Sequence, residues 1–166
     1  NKGNVGNGAG AAYIVYGPVI GYLNLSYADV KLAGTEINGF ARNVTSVGDV
    51  DGDGQIDILV GAHGVDAGGV DRGRAYLYYG PLTGTLGLNG ADSIVSGNAD
   101  GDWLGLSVGG AGDVNNDGYM DILIGAPHAD NNGPEGGAAY LFHGPVSSGF
   151  LSASDADAVF AGESSG

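Results

Sequence analysis

A period of about 64 residues constrains this chain more than any other feature. Three segments are nearly the same: Gly10-Ala11-Ala12-Tyr13-Ile14-Val15-Tyr16-Gly17-Pro18, Gly73-Arg74-Ala75-Tyr76-Leu77-Tyr78-Tyr79-Gly80-Pro81, and Gly137-Ala138-Ala139-Tyr140-Leu141-Phe142-His143-Gly144-Pro145. Their prolines are spaced by 63 and then 64 residues. A weaker echo follows each: Ala28-Asp29 with Ala33-Gly34, Ala91-Asp92 with Ser96-Gly97, and Ala156-Asp157 with Ala161-Gly162. A repeat of this length sets the architecture before any single element is assigned, because each unit must bury its apolar surface against its neighbours.

Each unit reads as four short strands. The first is expected near residues 40–47 in one copy and 104–110 in the next. The second covers residues 56–62 and 120–126, the third 75–79 and 138–143, and the fourth 93–96 and 158–161. No segment carries a helical period of 3.6. The 35 glycines sit between short apolar runs, as tight turns in an all-β protein require. Four strands per repeat is the pattern of β-propeller blades, each of four antiparallel strands. The second strand is apolar on both faces apart from its Asp, as expected of a strand sandwiched between neighbouring blades. The aromatic third strand then fills the wider space between blades. The expected order is a partial blade at residues 1–34, blades at 35–98 and 99–162, and a lead-in at 163–166, about two and a half blades. Closed propellers have roughly four to eight blades. The expectation is therefore a longer parent chain, or copies that complete one another end to end.

Between the first two strands of each full unit lies an acidic nonapeptide. The first copy is Asp49-Val50-Asp51-Gly52-Asp53-Gly54-Gln55-Ile56-Asp57, and the second is Asp113-Val114-Asn115-Asn116-Asp117-Gly118-Tyr119-Met120-Asp121. Oxygen donors at alternate positions suit a hard cation such as calcium. An EF-hand is excluded: its loop needs a Glu at position 12 and flanking helices, whereas position 12 here is Val60 or Ile124 in a strand-like run.

Composition agrees. The net charge of −14 comes from 16 Asp and only three Glu, and Asp beside Asn and Gly marks turns and cation loops rather than general solvation. Two Lys and three Arg supply no basic patch, so neither nucleic acid nor an anionic membrane is an expected partner. The absence of Cys excludes disulfides, thiolate metal sites and cysteine nucleophiles, and fits a secreted protein stabilised by metal ions. No apolar run approaches the roughly 18 residues of a membrane span. No signal peptide is present, as in a mature or trimmed product.

Taken in register, these residues resemble FG-GAP repeats, the units of the seven-bladed β-propeller in integrin α-subunits and in many bacterial secreted proteins. The GAP element is literal at Gly125-Ala126-Pro127 and altered at Gly61-Ala62-His63. The FG element is weaker, at Phe40-Ala41 and Leu104-Gly105. The resemblance covers essentially the whole chain. It implies a non-catalytic, extracellular or cell-surface module whose partner is a protein or glycan ligand, with two Ca2+ ions holding the scaffold. The side-chain ligands assigned in the first loop are Asp49, Asp51, Asp53 and Asp57, with the Gln55 backbone carbonyl. In the second they are Asp113, Asn115, Asp117 and Asp121, with the Tyr119 carbonyl. Four carboxylates against three lead to the expectation of tighter binding in the first loop. Gly54 and Gly118 permit the sharp turn at position 6.

Other candidates read as structural. His63, His128 and His143 have no metal-ligand partner at short spacing and are expected in loop or core roles. Ser107 and Ser147-Ser148 lack a nucleophile elbow. Asp100 and Asp102 read as turn residues and Trp103 as filler between blades. Asn24-Leu25-Ser26 and Asn43-Val44-Thr45 are formal glycosylation sequons. Two further functional readings stand beside the recognition module. One is a structural subunit of a filament or surface layer, assembling through open blade edges. The other is a non-catalytic part of a secreted hydrolase or lyase.

Overall fold

The structure is a computed structural model that describes residues 10–34, 41–130 and 136–163. Phe40 of the first expected FG element lies outside the described residues, as do residues 1–9 of the partial blade and 164–166 of the expected lead-in.

Twelve strands form among the described residues: β1 (Ala11–Ile14), β2 (Val30–Ala33), β3 (Asn43–Gly48), β4 (Asp57–Ala62), β5 (Arg74–Tyr78), β6 (Gly84–Gly87), β7 (Ser93–Ser96), β8 (Ser107–Gly112), β9 (Asp121–Ala126), β10 (Ala138–Phe142), β11 (Gly149–Ser152) and β12 (Ala158–Ala161). The described helical elements are three single 3-10 turns, at Leu25–Tyr27, Leu88–Gly90 and Ala153–Asp155. The expected second, third and fourth strands appear within one residue of their anticipated limits. The first strand of each unit starts three residues late. Ahead of it, Ala41, Trp103 and Gly105 adopt positive φ, which turns the chain before it can pair.

The strands assemble into three sheets, ordered β1-β2-β6, β11-β7-β5-β4-β3 and β12-β10-β9-β8. Within each blade all pairing is antiparallel. A glycine bulge, at Gly48 or Gly112, ends the first strand and turns the chain into the acidic loop.

Two elements escape the four-strand reading. β6 and β11 lie in the connection between third and fourth strands, and each pairs in parallel with the outer strand of the preceding blade, β6 on β2 and β11 on β7. Their sequences, Gly-Thr-Leu-Gly and Gly-Phe-Leu-Ser, are short and carry little apolar alternation. Their partner lies in another repeat, so no local pattern announces them. Hydrogen bonds reinforce each clasp. The Gly84 amide donates to the Asp29 carbonyl at 3.0 Å and the Gly149 amide to the Asp92 carbonyl at 2.7 Å. The Tyr16 hydroxyl donates to the Leu82 carbonyl at 2.9 Å, and the Tyr79 hydroxyl to the Val146 carbonyl. Burial pushes the Tyr79 hydroxyl up to about 12, so it stays protonated and remains a donor.

Side-chain alternation splits the middle sheet between two cores. Leu59, Ala75, Leu77 and Val95 face the last blade, meeting Ile122, Ile124, Tyr140 and Phe142. Val60, Ala62, Tyr76, Tyr78 and Ile94 face the first sheet, meeting Val30 and Leu32. Tyr76 and Tyr78 are fully buried, as the aromatic third strand should be. Each such side chain contributes roughly 1.5–3 kcal/mol of burial. The small residues at the strand ends serve close approach: a Cβ on Gly61 would lie 2.1 Å from the Gly105 carbonyl oxygen of the next blade. The glycine of one GAP-type element thus presses on the glycine of the following FG-type element.

Candidate metal centre

Both acidic loops are built the same way. The bulge delivers the chain into a turn whose amides point inward, and the leading Asp collects them. Asp49 accepts from the Gly52 amide at 2.7 Å and the Gly54 amide at 2.9 Å. Asp113 accepts from the Asp117 and Gly118 amides, both at 3.0 Å. Short-range turns follow, with Asp51 accepting from the Asp53 amide and Asp53 from the Gln55 amide. Such Asx turns give the backbone its curl without secondary structure.

The ninth position is the anchor. Asp57 and Asp121 open β4 and β9 and are fully buried. Asp57 accepts from the Val50 amide at 2.7 Å and from the Gly80 amide at 2.8 Å. Asp121 accepts from the Val114 amide at 2.7 Å and the Gly144 amide at 2.9 Å. Each carboxylate therefore ties its loop to the Gly-Pro turn at the end of the third strand, where the Gly80-Pro81 and Gly144-Pro145 peptides are both cis. Burial raises the Asp57 pKa, opposed by its two backbone hydrogen bonds and reinforced by the charges of Asp51 and Asp49. Gly80 and Gly144 escape a ligand-by-ligand sequence reading. Their signal is the Gly-Pro recurring at the same period as the acidic loops.

The structure brings three of the first loop's expected ligands together: one carboxylate oxygen each from Asp49, Asp51 and Asp57 lies within 4.8 Å of the others. Calcium binds oxygens at about 2.3–2.6 Å, so its ligands lie within about 5 Å of one another. The spread and the all-oxygen donor set both fit that ion. Asp53 is not part of this trio. In the second loop Asn115 replaces the third-position carboxylate and uses its amide group to donate to Asp117 at 2.7 Å. The Tyr119 amide and Asn115 hold the Asp117 carboxyl below its ordinary pKa.

The two loops touch. The Met120 amide donates to the Asp49 carbonyl at 3.0 Å. A Cβ on Gly52 would lie 2.5 Å from the Tyr119 ring, and Gly52 has a positive φ of 85°. Neither contact was legible from the nonapeptides taken singly.

The opposite ends of the blades carry a different set. Trp103 sits between His63 of one unit and His128 of the next, with ring centroids 5.6 and 4.6 Å away. His63 Nε2 faces Arg42 Nη1 at 3.4 Å, and burial followed by the Arg42 charge lowers the His63 pKa. Asp102 is buried and accepts from the Asn98 and Ala99 amides, while Asp100 pairs with Arg72 at 2.8 Å. Trp103 fills space between blades as expected. Asn43 lies on β3, and Asn24 caps the first 3-10 turn through the Ser26 amide at 2.9 Å. Among the described residues no helix is long and apolar enough to cross a membrane.

Comparison with known proteins fits this geometry. The family model described as FG-GAP repeat matches residues 41–78 and 104–142, each copy running from the first strand through the acidic loop to the third strand. Human integrin alpha-11 is 41% identical over 109 residues, 63% of this chain and 8% of the relative. Drosophila melanogaster integrin alpha-PS2 is 36% identical over 123 residues, 69% of this chain and 8% of the relative. Mouse integrin alpha-IIb is 33% identical over 120 residues, covering 69% and 11%. The chain thus spans about a tenth of the length of these relatives. With the repeat, its blades and its acidic loops in one register, the chain carries two FG-GAP repeats.

Proposed function

We propose that this chain is a calcium-binding, non-catalytic β-propeller repeat module that works outside the cell or at its surface, presenting a rigid scaffold for recognition of a protein or glycan ligand in adhesion. Blades at residues 35–98 and 99–162 would each carry one ion. Asp49, Asp51, Asp53 and Asp57 with the Gln55 carbonyl would hold the first. Asp113, Asn115, Asp117 and Asp121 with the Tyr119 carbonyl would hold the second. The observation that carries the reading is the convergence of Asp49, Asp51 and Asp57 inside a matched FG-GAP repeat. Like charges this close repel by on the order of 3 kcal/mol per ionised pair at an effective dielectric near 20. A divalent cation removes that repulsion and fixes the hairpin between the first and second strands. Its role is structural: it crosslinks backbone segments that Asp57 and Asp121 already join.

Thermal unfolding tests this. Calcium at about 100 times its Kd should add about 2.7 kcal/mol for each occupied loop, read as a rise in Tm over the chelated protein. Magnesium at equal concentration should give a smaller rise, because it keeps its waters and demands octahedral geometry. A Tm indifferent to calcium would overturn the reading.

A further inference from the structure

The three matching aromatic segments differ in kind at one place. Gly10-Ala11-Ala12-Tyr13 and Gly137-Ala138-Ala139-Tyr140 carry Ala where Gly73-Arg74-Ala75-Tyr76 carries Arg. The repeat builds this strand twice with a methyl group, so the fold does not demand a guanidinium there. The chain has only three Arg against 19 acidic residues, which makes the place of each informative. Arg72 pairs with Asp100 at 2.8 Å, and Arg42 lies against His63. Among the described residues no carboxylate lies within ion-pairing distance of Arg74. Its Nε donates to the Ser96 hydroxyl at 3.3 Å, and the side chain lines a hollow.

That hollow has a volume of about 360 Å³ and lies at the outer rim of the middle sheet. Strand register places its walls. Arg74 and Tyr76 on β5, Ser96 and Ile94 on β7, and Phe150 on β11 stand on the face turned toward the first sheet. The 3-10 turn Leu88–Gly90 closes one side. Every wall is internal: the turn joins β6 to β7, and β11 is clasped on β7. The floor is apolar, made by the buried Tyr76, Leu88 and Ile94, while Phe150 stands at the mouth, 78% exposed. β6 carries Thr85 in the place of Phe150, so the clasp does not demand this ring either.

A cation on one side, an aromatic face on the other and an apolar floor between them suit a ring that bears one carboxylate. A guanidinium grips a carboxylate through two parallel N–H bonds. A sugar ring presents C–H groups on its faces, which lie well against an exposed aromatic ring. The Ser96 hydroxyl and the Asn89 amide stand by for the sugar's own hydroxyls. Arg74 and Phe150 are two strands apart, roughly 10 Å between backbones, which leaves room for one sugar ring between the side chains. The net charge of −14 repels a polyanion and favours a ligand whose charge is a single carboxylate. We propose that this rim hollow binds a terminal uronic acid unit of a glycan, its carboxylate on Arg74 and its ring against Phe150. The proposal rests on the recognition reading above and narrows its ligand to an acidic sugar.

Methyl glucuronide and methyl glucoside differ by one carboxylate and serve as probes. In a titration followed by amide resonances, methyl glucuronide should shift Leu88, Asn89 and Phe150 with a Kd on the order of 1 mM, as for a single sugar unit. Methyl glucoside should bind about tenfold more weakly. Arg74→Ala installs the residue of the other two repeats, and should remove that preference while leaving the glucoside unchanged. Arg74→Lys keeps the charge without the planar fork and should fall between. Phe150→Thr, the residue of β6, should weaken both sugars on the order of tenfold. Equal binding of the two glycosides, a preference that survives Arg74→Ala, or no shift by about 50 mM glucuronide would overturn the proposal. So would a blocked glutamate that binds as tightly as the glucuronide, which assigns the hollow to acidic side chains of a protein. The rise of Tm with calcium is read on the same samples. If that rise persists when the sugar fails, only the hollow is lost; if it is absent while the sugar binds, only the calcium scaffold is lost.

Discussion

The two acidic loops share an anchor and differ at the third position. In both, the ninth-position Asp is buried and accepts backbone amides from its own loop and from the Gly-Pro turn. In the first, Asp51 joins Asp49 and Asp57 in a tight group of carboxylates. In the second, Asn115 stands at that place and satisfies Asp117 with its own amide. The first loop thus gathers three carboxylates, while in the second an amide group stands at the third position and donates to Asp117. The anchor ties each loop to its Gly-Pro turn, and on the proposed reading the third position sets how tightly each loop binds its ion.

The largest effect should come from removing the anchor. Asp57→Ala leaves the Val50 and Gly80 amides without their partner and deletes a proposed ligand. Denaturant unfolding should show a loss of about 2–4 kcal/mol, and Asp121→Ala should behave alike. If only one of the two is damaging, the loops do not share an anchor.

Exchanging the third position sharpens the contrast. Asn115→Asp should raise second-loop calcium affinity roughly tenfold, about 1.4 kcal/mol, and Asp51→Asn should lower first-loop affinity by a similar factor. Titration of variants carrying one intact loop reads this directly. Unchanged affinities would show that carboxylate count does not rank the sites.

Smaller effects should come from the contact between loops. Gly52→Ala places a methyl group against Tyr119 at a positive φ, and about 1–2 kcal/mol of stability should be lost even without calcium. Tyr119→Ala keeps the second loop's carboxylates and its backbone carbonyl, and should cost about 1 kcal/mol or less. Its sharper signature is a shift in first-loop affinity, since Tyr119 covers Gly52. No shift would make the loops independent.

Much of this was legible in the sequence because a repeat supplies its own comparison. The strand-forming runs at residues 57–62 and 121–126 declare themselves by apolar content, and their leading Asp by its recurrence. Other features hid because their partners lie elsewhere in the chain. β6 and β11 complete sheets begun one repeat earlier, so Gly-Thr-Leu-Gly carries no pattern of its own. Gly80 and Gly144 act through amides, which the side-chain code does not display. The late starts of β3 and β8 come from backbone turns at Ala41, Trp103 and Gly105, whose positive φ takes the chain out of the extended region just ahead of each strand. Asp53 shows the reverse. Its spacing marks it as a ligand plainly, while its contact here, with the Gln55 amide, is one that the spacing does not display.

The central claim is one calcium ion per acidic loop. Calorimetric titration of the chelator-treated chain tests it most directly, with Asp57→Ala and Asp121→Ala alongside. The account expects two ions per chain, the tighter one lost in Asp57→Ala and the weaker one lost in Asp121→Ala. Failure of the unmodified chain to bind calcium, or a stoichiometry that neither substitution changes, would contradict it.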